Sequence, residues 1–153
     1  MNRSEVVVRV QQALQSELEA VERMAAMATE EATGAESKSE GKYDTRATEA
    51  SYLARGQANR VVALRRLVAW VSAMPAPGAR VGLGSVVQID EDERRSWLLM
   101  LPDGGGVVVQ VGGEPVRVVT PRSPVGQALV GAEVGDEVEI EASERVLEVL
   151  YLG

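Results

Sequence analysis

The sequence predicts an α+β protein: an N-terminal antiparallel coiled-coil hairpin of two helices, followed by a small, mostly antiparallel β domain with one short helix. Three observations carry this. Apolar residues recur at alternating three and four spacing through residues 1–74, the mark of a helical seam. Pro75, Ala76, Pro77 and Gly78 then form a stretch that no helix continues through. Beyond it, six short apolar runs alternate with turn residues.

The first helix starts at Ser4 and Glu5. Val7, Leu14, Leu18, Val21, Ala25, Ala28 and Ala32 share one seam, with Gln11 filling one place. Gly34 supplies its stop. The second helix, capped by Asp44 or Thr45, repeats the spacing at Ala47, Ala50, Ala54, Gln57, Val61, Leu64, Val68 and Val71. Each helix would span about 28 to 32 residues, roughly 45 Å at the usual rise. Both seams pass from Leu and Val to Ala toward the connecting stretch, which predicts a rod tapering to its tip. Alanine's helix propensity accounts for the same residues without any taper.

Residues 30–44, EEATGAESKSEGKYD, form the connection and the exposed tip. Glu30, Glu31, Glu36, Glu40 and Asp44 stand there against Lys38 and Lys42. As bare residues, these acids keep a loop soluble and Asp44 caps a helix. The following segment carries Arg46, Arg55, Arg60, Arg65 and Arg66 against Glu49 alone, which by itself describes a solvated helix face. Tyr43, Tyr52 and Trp70 suit packing better than base stacking.

In the second half, residues 85–89, 96–101, 107–111, 116–119, 137–140 and 146–152 read as strands. Pro102-Asp103-Gly104 and Val111-Gly112-Gly113 read as hairpin turns. A helix over residues 124–130 has Ser123 as its cap, Pro124 at its first position and Gly131 past its end. With Trp97 and Tyr151 as the aromatics of this half, the core must come from Val, Leu and Ile. Gly104, Gly105 and Gly106 form a turn, with nothing after them to suggest a phosphate-binding loop.

Composition narrows the chemistry. The 153 residues include neither cysteine nor histidine. That excludes disulfides, thiolate zinc sites and Ser/His or Cys/His nucleophilic catalysis, and leaves metals to oxygen ligands, which suit Mg²⁺, Mn²⁺ or Ca²⁺. No run of eighteen apolar residues and no signal peptide is present, so the expected location is cytoplasmic, away from membranes. The net charge of −7 arises wholly after residue 74, where six Lys/Arg face thirteen Asp/Glu. This argues against nonspecific duplex DNA binding by that half. A hairpin that buries its own seam is expected to be a monomer.

The run Ser123-Pro124-Val125-Gly126-Gln127-Ala128-Leu129-Val130-Gly131, followed by Gly135-Asp136-Glu137-Val138, resembles the C-terminal signature of the bacterial GreA/GreB transcript cleavage factors. The long hairpin with an acidic tip and the short linker agree, so the chain is identified as a divergent member of that family. The resemblance implies residues 1–74 as hairpin, 75–78 as linker, and 79–153 as an FKBP-like domain docking on RNA polymerase through Ser123 and Pro124. It implies that the hairpin threads the polymerase secondary channel. There Glu36, Glu40 and Asp44 would act as tip acids and Arg55 and Arg60 would touch nascent RNA, with DNA reached only through the polymerase. Glu36 and Glu40 would share a second Mg²⁺ with the polymerase, whose own nuclease cuts the backtracked RNA, so the chain itself is not the enzyme. Two-metal hydrolysis of a phosphodiester needs such hard oxygen ligands.

Family members carry Asp and Glu three residues apart in the tip. If Tyr43 occupies the motif's Tyr place, the Asp place falls on Glu36 and the Glu place on Ser39, with Glu40 as its neighbour. That departure implies an alternative, a secondary-channel regulator or inhibitor without cleavage activity. A third reading, a peptidyl-prolyl isomerase, follows only from fold analogy, and the β half lacks the aromatic-lined pocket it needs.

Overall fold

The computed structural model describes residues 1–38 and 46–153, apart from the side chains of residues 32–38, 46, 47 and 50. The elements run α1 (Arg3–Lys38), α2 (Arg46–Ser72), β1 (Val86–Glu91), β2 (Arg94–Met100), β3 (Val108–Val111), β4 (Glu114–Val119), α3 (Pro124–Leu129), β5 (Glu137–Ile140) and β6 (Arg145–Leu152). This is the expected α+β order, a helical hairpin and then a sheet domain. Contacts group the chain into two units, residues 14–69 and residues 1–13 with 70–153.

Within residues 14–69, α1 buries Leu14, Leu18, Val21 and Ala28, and α2 buries Val61, Leu64 and Leu67. Ala25, Ala54 and Gln57 are half-buried on the expected seam. Leu67, rather than the half-buried Val68, takes the deepest place near the end of α2. The small residues expected to taper the seam at Ala32, Ala47 and Ala50 lie outside the described side chains.

Both ends of α1 differ from expectation. Asn2, not Ser4, caps it: its Oδ1 accepts from the Ser4 N–H at 2.9 Å, satisfying a donor that the helix cannot satisfy itself. At the other end α1 runs through Gly34 to Lys38, so residues 30–38 are helical rather than tip loop. A glycine inside a helix costs about 1 kcal/mol relative to alanine. That does not stop a helix whose next residues, Ala35, Glu36 and Lys38, favour it.

In the other unit, the start of α1 buries Val6 and Val10 completely, one position before the expected Val7 and Gln11. Arg3 donates to the Pro75 carbonyl at 2.7 Å and the Gly84 carbonyl at 3.1 Å, which ties the helix start to the segment ahead of β1.

The sheet has the order β3-β4-β2-β1-β6-β5. β1 and β2 pair antiparallel across Asp92 and Glu93, both at positive φ, as a tight two-residue hairpin requires. Gly112 and Gly113, at φ 60 and 86, make the expected β3–β4 hairpin. Pro102-Asp103-Gly104 does not make one. The chain leaves β2 there for the sheet edge, and β4 returns parallel to β2, pairing Leu99 with Val118. On the face covered by α3, Val87, Ile89, Leu98, Met100, Val119, Leu147 and Val149 pack with Leu129 of α3, an aliphatic core with Met100 added. Among the described residues, no helix is long and apolar enough to cross a membrane.

Candidate functional site

The turn into α3 is built on one carbonyl. Thr120 O accepts from the Ser123 N–H at 3.0 Å and from the Ser123 hydroxyl at 2.7 Å, and Ser123 Oγ in turn accepts the Gly126 N–H at 3.1 Å. Ser123 is thus the expected N-cap, in extended backbone (φ −71, ψ 153), and Pro124 follows at the first helical position, where its missing N–H costs nothing. Pro124 is exposed. Gly126 carries a role that the sequence did not reveal: a Cβ there would lie 1.8 Å from the Thr120 carbonyl oxygen.

Beside this turn opens a concavity of about 550 Å³, lined by Thr120, Ser123, Pro124, Val125, Ile140 and Arg145 among others. Arg145 grips Glu91 with two parallel donors, Nε to Oε1 and Nη2 to Oε2, the latter at 2.6 Å. Hydrogen bonding from Arg145 holds the Glu91 carboxyl below its ordinary range, against the opposing pull of desolvation, and the same bond raises the Arg145 guanidinium. The concavity therefore offers an apolar wall and a proline next to two arginines, Arg145 paired with Glu91 and Arg117 without an ion pair among the described residues.

Among the described residues of the hairpin, two ion pairs join α1 to α2. Glu17 meets Arg60, and Glu22 meets Arg65 at 2.8 Å. Glu17 and Arg60 each precede a buried seam residue (Leu18, Val61), whereas Glu22 and Arg65 each follow one (Val21, Leu64). Like flank therefore meets like flank on both sides, as antiparallel helices require. Arg55 lies 5.6 Å from the ring centroid of Tyr52, and both side chains are exposed. Of the two arginines expected at RNA, Arg60 is engaged by Glu17, while Arg55 rests on an exposed ring.

Glu36 lies on the helical backbone of α1, and its side chain is outside the described residues, as are Glu40 and Asp44 entirely. Among the described residues no group of three or more acids is placed to hold a metal ion. The structure thus brings Ser123 and Pro124 together beside one concavity and separates Arg55 from Arg60 by what each touches.

The family profile described as transcription elongation factor, GreA/GreB, C-terminal, matches residues 76–151, which include the Ser123 turn, α3 and all of the sheet but the last residue of β6. No curated protein sequence matches the chain. Among solved structures it is similar to GreA factor homolog 1 (Gfh1) of Thermus thermophilus, at 20% identity over 94% of each chain and a TM-score of 0.39. It is also similar to Gfh1 of Thermus aquaticus, at 20% identity over 92% of each chain and a TM-score of 0.38. By the match over its C-terminal domain, the chain belongs to the GreA/GreB family of transcription elongation factors, as a divergent member.

Proposed function

We propose that this elongation factor docks on RNA polymerase through the exposed Ser123–Pro124 turn and the apolar concavity beside it, sends its hairpin into the secondary channel, and assists the polymerase's own cleavage of backtracked RNA. The observation that carries the docking is the placement of Pro124: exposed, next to the Ser123 cap that bonds the Thr120 carbonyl, and in the lining of a cavity large enough for a partner's side chains. Arg55, exposed on Tyr52, suits contact with the RNA strand, and Arg60 reaches RNA only by giving up Glu17. Glu36 and Glu40 fit a Mg²⁺ shared with the polymerase in donor chemistry, since carboxylates are the hard oxygen ligands that this ion takes. Such a metal, held mainly by the polymerase, supplies Lewis-acid chemistry at the scissile phosphate. The chain supplies ligands and position, and the nuclease is the polymerase. It works as a monomer in the cytoplasm.

The test is to mix the full chain with stalled elongation complexes and Mg²⁺. Short 3′ RNA fragments should appear, and none with polymerase or factor alone.

A second reading, occupancy of the channel without cleavage, is favoured by two observations: with Tyr43 in the motif's Tyr place the second family acid falls on Ser39, and α1 stays helical through Glu36. Displacing a catalytic group by about 1 Å can cost a hundredfold in rate. Retained polymerase binding with no fragment release selects this reading.

A further inference from the structure

The two edges of the sheet have opposite chemistry. β5 presents Glu137 and Glu139, both exposed, and like charges along an edge resist pairing with another strand. β3, Val108-Val109-Gln110-Val111, carries no charge.

Its ladder with β4 shows which backbone groups are already used. The tight turn at Gly112 and Gly113 closes the Val111/Glu114 pair, and on the other side Gly106 N–H and Val107 O both bond Val118. Hydrogen-bonded pairs alternate along an antiparallel ladder, so Val109 and Val111 bond β4. Gln110 stands opposite Pro115, which has no N–H to give. The N–H and C=O of Val108 and Gln110 consequently point onto the free edge.

The side chains add a second signal. Val108 lies opposite Arg117 and is 49% exposed. It borders a cavity of about 240 Å³ lined also by Pro115, Arg117, Leu98 and Val125. Arg145 and Arg95 beside that cavity are held by Glu91 and Asp90. Glu114, which also lines the cavity, accepts from the Trp97 indole N–H at 2.6 Å, whereas among the described residues Arg117 has no ion pair, so Arg117 is the cation left for a partner's carboxylate beside the unpaired strand donors and acceptors.

We propose that β3 receives an extended segment of a partner protein as a seventh strand, with a carboxylate of that segment on Arg117. Main-chain bonds to Val108 and Gln110 supply the affinity, and the cavity with Arg117 supplies the side-chain preference. A second copy of this chain is the poorer occupant. A four-residue edge buries far less than the roughly 1,200 Å² of a stable interface, which suits a weakly held segment rather than a lasting dimer. Joining two β3 strands would also set both Arg117 side chains on one face, and the facing β3 strand brings no carboxylate to either. The cavity shares Arg117, Val125 and Arg145 with the concavity beside Pro124, but a peptide test without polymerase reads this inference apart from that docking.

The probe is an N-acetylated, C-amidated peptide Thr-Val-Glu-Val-Thr-Val, titrated into the full-length protein and followed by backbone amide NMR. Saturable shifts confined to β3 and β4 are expected at millimolar peptide. They should weaken about tenfold when the glutamate becomes lysine, and vanish when alternate peptide amides are N-methylated. Gln110→Pro should abolish binding, and Arg117→Glu should reverse the charge preference. No saturable shifts, equal binding of the N-methylated peptide, or indifference to peptide charge would overturn the proposal. So would a sedimenting dimer that Gln110→Pro dissociates, since the occupant would then be a second copy. The N-methylated arm uses the unmodified protein, so misfolding of a variant does not cloud the result.

Discussion

Gly126 sits so close to Thr120 that a single methyl group cannot be placed between them: its Cβ would fall 1.8 Å from the Thr120 carbonyl oxygen. That oxygen is also the acceptor that orders Ser123, so the contact and the cap form one unit. Gly126→Ala must push α3 off the sheet or break the turn. The expected cost is about 3 kcal/mol, the upper end for overpacking, read as a fall in the urea midpoint with unchanged m-value.

Ser123 and Pro124 are expected to separate stability from docking. Ser123→Ala removes the acceptor for Gly126 N–H and the donor to Thr120 O, and should cost about 1 kcal/mol in unfolding free energy. Pro124→Ala touches no hydrogen bond, so its stability should stay close to that of the parent while its affinity for core RNA polymerase falls. Equal polymerase affinity for the parent and Pro124→Ala would remove Pro124 from the contact.

Glu17 and Arg60 should show a coupling energy of about 0.2–1 kcal/mol in a double-mutant cycle, as exposed ion pairs do. The coupling should shrink as salt is raised. If Arg60 also reaches RNA, Glu17→Ala frees it and should not lower fragment release. Arg55→Ala should lower fragment release without altering hairpin stability.

Glu91 gives a pH test with a definite sign. Its folded pKa is depressed, chiefly by the hydrogen bond from Arg145, so the stability it contributes is present above the unfolded carboxylate pKa and is lost as pH falls through the folded value. The Tm advantage of the parent over Glu91→Gln should therefore be full at neutral pH and fade under acid. An advantage that persists unchanged below the carboxylate range would contradict the pairing.

The residues made some of this legible and hid the rest for physical reasons. Strands such as β5 and the Gly112–Gly113 hairpin were readable because alternation and turn chemistry are local. The parallel pairing of β2 with β4 was not, because Pro102-Asp103-Gly104 records only that the chain turns, and not which strand it turns toward. α1 outran Gly34 because one unfavourable residue is outweighed by helix-forming neighbours. The Ser123 cap could be read from three adjacent residues, whereas the need for glycine at 126 depends on a carbonyl six positions away. The grip of Arg145 on Glu91 joins residues 54 apart and left no local trace. Glu40 and Asp44, the remaining tip acids, lie outside the described residues, so the case for them rests on sequence and family.

The central claim, that this chain acts through RNA polymerase with carboxylates near the hairpin's far end, is tested most directly by measuring RNA fragment release from backtracked complexes. Parent protein and the Glu36→Ala/Glu40→Ala double variant should be compared at matched polymerase occupancy. Release by the parent, lost in the double variant while binding persists, is the predicted result. Equal release by both proteins, or none by the parent although it is bound, would contradict the role given to those acids.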